Sequence, residues 1–463
     1  METAINVMWE ITLFLDIFIY FFGFVTIYRL IYVAIALVSK GKKFKPTTQK
    51  YKYAVLIPAR NEEKVIGQLI DSINKQDYIK DDKSLITIFV VADNCSDKTA
   101  EIAREHGAVV YERINPPKNR RRKGWAMEFL VENVRKDYGI ETFDGYLIMD
   151  ADNLLSKNYM TKMNDAFDNK EFDMFTSYVE SKNFGTTLMS SFVSMVFYEG
   201  MRESRALSVL GLGVMSNGKG ALMRNNIFQK INFKWCGFSD DYEYSLDFAS
   251  RGVRTTFVKD AICFDEQPLT YKDAARQRRR WGRGTLLAWF KYLPPLCLGI
   301  FAPYDFDKYY ARPRPTQRNI LKRAIIGFKK RLTCLNMLIF VSPIWITSFL
   351  ILILYPTSCF LFKSINPDYD LTPMYISLIF YLAAHFVSAY VYSAITVICE
   401  HRRMRIPPAK LFFYFLIWPF LQIIFNWIFF FALFGRVRWK RMPHVVDHKI
   451  EDIYDTPTLN EAL

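Results

Sequence analysis

Tyr53-Ala54-Val55-Leu56-Ile57-Pro58 is an unbroken apolar run, and the period of the sequence changes directly after it. Across 62–76 the apolar positions Val65, Ile66, Leu69, Ile70 and Ile73 recur at helical spacing. A short run with no polar alternation reads as a strand buried on both faces, and the 3.6-residue period reads as a helix lying on the sheet. The same pairing repeats downstream. Residues 85–91 read as a second strand and 98–106 as a helix ended by Gly107. Residues 108–114 read as a third strand, 124–136 as a helix and 145–149 as a fourth strand. Buried strands alternating with helices imply an α/β domain with a parallel sheet, in which ligands bind beyond the carboxyl ends of the strands.

That rule sorts the polar residues. Strand one runs out into Pro58-Ala59-Arg60-Asn61-Glu62-Glu63, strand two into Asp93-Asn94-Cys95-Ser96-Asp97, and strand four into Asp150-Ala151-Asp152-Asn153. Asp97 also suits the cap of the helix that comes after it. Asp150 and Asp152 are hard carboxylates two positions apart at a strand end, a pattern that suits Mg2+ or Mn2+ bridging a diphosphate. Lys123-Gly124 opens a helix after the basic run 118–122, and a helix N-terminus with a lysine favours phosphate. Further on come a Gly-rich turn, Ser216-Asn217-Gly218-Lys219-Gly220, and Ser239-Asp240-Asp241 before a helix at 242–250. Acids at a helix start complement its dipole, and one of them can also serve as a general base for a hydroxyl. In Gln277-Arg278-Arg279-Arg280-Trp281, guanidiniums suit bidentate phosphate binding and the indole suits the apolar face of a sugar. The same cluster would suit anionic lipid headgroups.

The 463 residues are 51% hydrophobic and 16% aromatic, with a formal net charge of +15. The basic residues gather beside apolar segments rather than along one soluble face, which argues against nucleic acid as partner. The 7 Cys are scattered without a CxxC, so neither a disulfide framework nor a zinc site is read, and free thiols fit a reducing cytoplasm. Glu2 and Glu10 make a poor signal peptide. Residues 11–38 are long enough to cross a bilayer, and Lys40-Gly41-Lys42-Lys43-Phe44-Lys45 then places the chain after residue 40 in the cytoplasm, up to the next crossing. Further apolar runs cover 333–361, 373–399 and 411–434, with the basic Glu400-His401-Arg402-Arg403-Met404-Arg405 between the last two. Four simple crossings would leave Arg436, Arg438, Lys440 and Arg441 outside, against the positive-inside rule. Either the fourth run re-enters at Pro419 or the second is a hairpin. The expected division is a transmembrane helix at 1–40, a cytoplasmic domain at 41–290, an interfacial segment at 291–332, membrane helices at 333–440 and a tail at 441–463. Residues 184–210 read either as a helix on the membrane surface or as a core helix of the domain.

In their order along the chain these motifs resemble the processive, inverting glycosyltransferases of family two, the relatives of cellulose, chitin and hyaluronan synthases. The resemblance covers roughly 53–290 and the flanking membrane segments. It rests on Ile57 to Glu62, the Asp93 cluster, Lys123-Gly124, Asp150-Ala151-Asp152, Ser239-Asp240-Asp241 and Gln277 to Trp281, which fills the Q-x-x-R-W pattern. Those relatives usually carry Thr-Glu-Asp where this chain has Ser239-Asp240-Asp241.

The resemblance implies a Rossmann-like GT-A glycosyltransferase domain flanked by transmembrane helices. It implies nucleotide-sugar binding by Pro58, Glu62, Asp93, Lys123, Asp150, Gln277 and Arg280, with Asp93 at the uracil ring. Asp150 and Asp152 would place Mg2+ or Mn2+, Asp152 as direct ligand. Asp241 would be the catalytic base, and Trp281 with Asp240 would meet the acceptor. The implied activity is polymerisation of a UDP-sugar, UDP-glucose before UDP-N-acetylglucosamine, into a β-linked glycan passed through the protein's own helices in the lipid bilayer. Single-sugar transfer to a lipid acceptor and a nucleotide-binding export partner are the alternatives. The chemistry needs one base and one cation; the five His all lie outside the motifs.

Overall fold

The computed structural model describes residues 2–302 and 320–434, apart from 81, 82, 232, 344 and 405. Eight strands form one sheet: β1 Tyr53–Ala59, β2 Ile86–Asp93, β3 Val109–Arg113, β4 Gly145–Ile148, β5 Leu154–Leu155, β6 Met174–Ser181, β7 Ala221–Arg224 and β8 Thr255–Asp265. Their order across the sheet is β3-β2-β1-β4-β7-β6-β8-β5. The helices of this part are α1 Glu2–Val38, α2 Ile66–Asn74, α3 Thr99–Glu105, α4 Lys123–Tyr138, α5 Tyr159–Phe167, α6 Leu188–Leu210, α7 Asn225–Lys230 and α8 Asp240–Arg251. Beyond them lie α9 Tyr271–Phe301, α10 Ile320–Phe340, α11 Trp345–Phe349, α12 Tyr355–Ile365, α13 Thr372–Glu400 and α14 Pro408–Phe431.

The apolar run of β1 is buried because it feeds two cores. Tyr53, Val55 and Ile57 point into one layer with Leu69 and Ile70 of α2 and Met160 and Met163 of α5. Ala54 and Leu56 point into the other with Met127, Leu130 and Val131 of α4 and Tyr244 and Phe248 of α8. Alternation along a strand and helices on both faces produce this sandwich.

The expectation of a parallel sheet holds for half of it. β3, β2, β1 and β4 run parallel, and β6 is parallel to β8. β7, however, lies antiparallel between β4 and β6, and β5 is antiparallel to β8, so the sheet is mixed. The second half escapes a sequence reading because β6 and β8 carry polar groups. Thr176, Ser177 and Glu180 are buried within β6, and the pairing of β8 with β6 slips between Val258 and Ile262, around Lys259 and Asp260.

Residues 188–210 form a core helix rather than a surface one. Thr187 and Ser190 make a reciprocal capping box at its start. Val193, Tyr198 and Leu207 share a core with Tyr178 of β6, Phe257 of β8, Tyr32 of α1 and Trp418 of α14. This helix joins the sheet domain to the apolar helices.

Among the described residues, four helices are long and apolar enough to cross a membrane: Trp9–Val38, Tyr271–Phe301, Thr372–Arg403 and Pro408–Phe431. The apolar run at 333–361 is not one helix. α10 ends at Phe340, Pro343 interrupts the chain, and α11 passes through a π-helical turn at Leu350–Leu354 into α12. The boundary expected at 290/291 falls inside α9, which continues through Pro294 and Pro295. Much of the expected interfacial segment, 303–319, and the basic tail with Arg436 to Arg441 lie outside the described residues.

Candidate active site

Each strand end at the carboxyl edge of β1, β2 and β3 turns on an asparagine with left-handed backbone: Asn61, Asn94 and Asn115, at φ of 59°, 55° and 49°. Asn tolerates this region better than other side chains, and here it also ties neighbouring loops together. Asn61 Oδ1 accepts from Ser96 N at 2.8 Å, and Asn94 Oδ1 accepts from Asn115 N at 2.9 Å. The helix cap position falls on Lys98 without a side-chain cap bond; Asp97, one residue earlier, instead closes a local turn by accepting from Thr99 N at 3.1 Å. The rim is thereby held beside a cavity of about 500 Å³.

All of Pro58, Glu62, Asp93, Lys123, Asp150, Asp152, Asp240, Asp241, Gln277, Arg280 and Trp281 line that cavity. The fold thus gathers at one place residues as distant in sequence as Pro58 and Trp281. Asp93 is nearly buried and pairs with Arg113 at 2.8 Å; burial still holds its carboxyl above the ordinary range, against the pull of that guanidinium. Lys123 starts α4, with its ammonium 2.6 Å from Asp150 and 3.8 Å from Asp240. Burial would lower its pKa, but Asp150 and Asp240 outweigh that and hold it charged above the usual range. Burial would likewise raise Asp150, and Lys123 with Lys219 keeps it below the ordinary value.

Gly124 lets α4 approach so closely: a Cβ there would strike the Trp235 carbonyl and the Cys236 backbone. The Gly-rich turn has a comparable reason. Gly218 and Gly220 adopt φ of 75° and 67°, with Gly218 packed on the Asp241 side chain, and the Lys219 between them enters the cavity.

Asp240 and Asp241 occupy the first turn of α8, where Asp241 Oδ1 accepts from Tyr242 N at 3.0 Å. Burial, and then the adjacent charge of Asp240, push the Asp241 carboxyl up to about 7. A carboxyl poised there is half ionised near neutral pH, the condition that favours general-base catalysis.

On α9, Arg280 lines the cavity and donates to the Phe238 carbonyl at 3.2 Å, while Trp281 packs edge-on against Phe197 of α6 with centroids 6.0 Å apart. Arg279 is exposed, but Arg278 is turned inward and only 6% exposed. The lipid-facing alternative therefore fails for Arg278: its guanidinium lies over Trp281 at 4.9 Å and Phe425 at 5.7 Å.

Several members escape a reading of the sequence. Lys219 contacts Asp265, a fully buried acid at the end of β8 that also accepts from Asn153 Nδ2 at 2.9 Å and Gln267 Nε2 at 2.6 Å. Burial pushes Asp265 up to about 6 despite Lys219. Lys182 donates to the Asp152 carbonyl at 2.6 Å. Lys219 has a signal in its flanking glycines; Asp265 has one only as the last residue of a strand that its polar content conceals.

The Asp150–Asp152 turn is shaped by Asn153, whose Oδ1 accepts from Asp150 N at 3.1 Å and whose Nδ2 approaches Asp152 Oδ1 at 3.4 Å. Two hard carboxylates at the cavity wall fit Mg2+ or Mn2+. Among the described residues no three His, Cys, Asp or Glu side chains enclose a point as a full metal cage. A cation here would draw its other oxygens from water and a diphosphate, as Mg2+ commonly does.

Comparison with known proteins bears on this geometry. The profile of the family described as "Glycosyltransferase like family 2" matches residues 50–284, half of the chain. The chain is 26% identical over 254 residues to "Probable glycosyltransferase YdaM" of Bacillus subtilis (strain 168), covering 52% of this chain and 57% of that protein. It is 25% identical over 270 residues to an N-acetylglucosaminyltransferase of Rhizobium meliloti (strain 1021), covering 55% and 60%. The match thus spans less than two thirds of either relative. Among solved structures, the mannosyltransferase PcManGT from Pyrobaculum calidifontis, in complex with GDP-Man and Mn2+, superposes with a TM-score of 0.51 over 97% of this chain and 99% of that one, at 12% identity. The fold is GT-A, a Rossmann-like α/β domain with a mixed sheet, accompanied by apolar helices that could span a membrane. With its profile match across the whole cavity-bearing domain, the chain belongs to glycosyltransferase family 2.

Proposed function

We propose that this protein is a membrane-bound, inverting hexosyltransferase that extends a glycan from a UDP-sugar, its catalytic domain on the cytoplasmic side. One observation carries the reading. A buried carboxyl with a pKa of about 7 shares a cavity with a cationic set, Lys123 and Arg280, and with an indole on a helix that runs on as an apolar segment.

The chemistry can be derived from the positions. The acceptor sugar rests on Trp281 with a hydroxyl toward Asp241, which takes the proton as the oxygen attacks C1 of the donor. The bond from C1 to the diphosphate breaks, and a single displacement inverts the configuration. Charge that develops on the departing UDP meets Lys123, Arg280 and the N–H groups at the start of α4. Asp152 and Asp150 would hold Mg2+ or Mn2+, which when bound supplies further neutralisation of the diphosphate. Asp93, paired with Arg113 on the cavity wall, would meet the base.

The name of the Rhizobium relative makes UDP-N-acetylglucosamine the first donor to test, ahead of UDP-glucose. Purified protein in detergent is incubated with each UDP-sugar and Mg2+ or Mn2+, and the products are digested with linkage-specific glycosidases. A polymer cut by one such enzyme supports the reading. A lipid-extractable product of fixed size would replace it with single transfer to a lipid. Export function that survives Asp241→Asn would favour a non-enzymatic role.

A further inference from the structure

Lys219 is a charged residue of the cavity wall to which the proposed displacement gives no task. Its side chain is only 12% exposed. The backbone sets its direction: Gly218 and Gly220 on either side adopt left-handed φ, and a Cβ at Gly220 would strike Ser177 Oγ and Tyr159 Oη. An ammonium carries three N–H donors. One goes to Asp265, the single hydrogen-bond partner of Lys219 Nζ among the described residues. The ammonium also lies over the ring of Phe197 at 5.1 Å, which leaves donors for the cavity. Three neighbours locate it. Gly218, beside it in the chain, packs on the Asp241 side chain. Phe197 packs edge-on against Trp281. Asp265 shares the Asn153 amide nitrogen with Asp152. In the proposed reaction Asp241 is the base, Trp281 the acceptor platform and Asp152 the cation site at the diphosphate. Lys219 stands where the three meet, and the sugar of the donor must lie between them.

We propose that Lys219 and Asp265 form a specificity pair for the sugar of the donor: Lys219 donates to an oxygen of the transferred sugar, and Asp265 cancels its charge so that neutral hexoses are preferred to hexuronates. This rests on the transferase reading of the cavity.

The chemistry selects the ligand class. A lone buried ammonium would favour an anionic group, such as the carboxylate of a uronate. Here the ammonium is already met by a fully buried carboxylate, so a second carboxylate gains less and must still give up its water. A hydroxyl or amide oxygen accepts from the ammonium without bringing charge. Burial works against the charge of Lys219, and Asp265, then Asp152 and Asp150, outweigh it. The diphosphate has a cation of its own in Lys123, which opens α4 and pairs with Asp150 and Asp240.

The test uses the full-length protein in detergent with Mn2+ near pH 8, above the value of about 6 to which burial pushes Asp265. Calorimetry without an acceptor gives the affinities of UDP, UDP-glucose, UDP-N-acetylglucosamine and UDP-glucuronate, and the melting temperature reports whether each variant is folded. The unaltered protein should bind UDP-glucose more tightly than UDP-glucuronate; the reverse order overturns the pair. Lys219→Met should weaken binding of the two neutral UDP-sugars about tenfold, as expected for one charge-assisted hydrogen bond, and leave UDP within about twofold. Asp265→Asn frees the ammonium, so it should raise the affinity for UDP-glucuronate relative to UDP-glucose about tenfold. An unchanged preference between those two overturns the part given to Asp265. Each single change strands a buried charge, so the double variant Lys219→Met/Asp265→Asn, which strands none, is measured as well. It should lose the neutral sugars as Lys219→Met does and gain no glucuronate. An equal loss of UDP and UDP-sugar assigns Lys219 to the diphosphate and overturns the pair, as does unchanged sugar affinity in the double variant. Failure of every UDP-sugar to be transferred to any acceptor counts against the transferase reading instead, and the binding affinities still decide the pair.

Discussion

In the proposed reaction Asp241 is the base, and its buried carboxyl is held in a state that costs stability when charged. Its carboxyl lies at about 7 rather than the ordinary 3.8 because burial and Asp240 disfavour the charge. Asp241→Asn should lower kcat by about 10²–10⁴-fold while UDP binding persists. The pH profile tests the same point: kcat/KM, which reports the free enzyme, should rise tenfold per pH unit on the acid side and level off above about 7. Stability should move the other way. A raised folded pKa means that the contribution is complete below the unfolded value of 3.8 and is lost as pH rises through about 7. Without substrate, Asp241→Asn should therefore melt at a higher temperature than the unaltered protein near pH 8 and at a similar one near pH 4. Identical melting at both would show that Asp241 is not strained by its charge. Asp152→Ala tests the cation site: UDP affinity should fall in Mn2+ but change little in EDTA. An equal loss in both would count against the ligand assignment.

At the scale of elements, the site depends on turns rather than on regular structure. The Gly218-Lys219-Gly220 turn brings β7 to the sheet centre, projects Lys219 into the cavity and backs Asp241. Gly218→Ala would put a Cβ 3.1 Å from Asp241 Oδ2 in a left-handed backbone that costs about 1–2 kcal/mol. It should lower both melting temperature and kcat, since Asp241 and Lys219 must shift together. A loss of stability with kcat intact would show that the turn only supports the fold. α6 works as the junction element, giving Phe197 to the cavity on one face and Glu203 to Arg29 of α1 on another.

For the whole molecule, the catalytic domain is clamped to the apolar helices through buried charge. Arg202 of α6 meets Glu400 at the end of α13 at 2.5 Å, and Arg403, 3.2 Å from Glu400, also contacts Glu180 of β6. Glu180 lies two residues before Lys182, which holds the Asp152 carbonyl. Removing one partner of such a network leaves a buried charge uncompensated, at about 3–5 kcal/mol. Arg403→Met should thus unfold at a clearly lower temperature in detergent, and unaltered melting would mean that the network is solvated.

The features legible in the sequence are local ones. The apolar runs of β1, β2 and β4 and the periods of α2 and α4 show in adjacent residues, and the acids at the strand ends are found where those runs stop. This is why the cavity residues from Pro58 to Asp152 can be named from the sequence. β6, β7 and β8 are not legible in the same way, since Thr176, Ser177 and Glu180 look polar and are buried only by partners distant in sequence. Nor is the unity of α9, whose basic first half and Pro294-Pro295 mask one helix. Only the tertiary structure decided that Asp265 joins Lys219, that Arg278 faces inward beside Trp281, and that burial and Asp240 push the Asp241 carboxyl up to about 7. Sequence alone determined the alternation of elements and the chemistry at the strand ends, because period and residue type are properties of neighbours along the chain. Strand direction, burial and charge environment depend on residues far apart in sequence, so they exist only once the chain has folded.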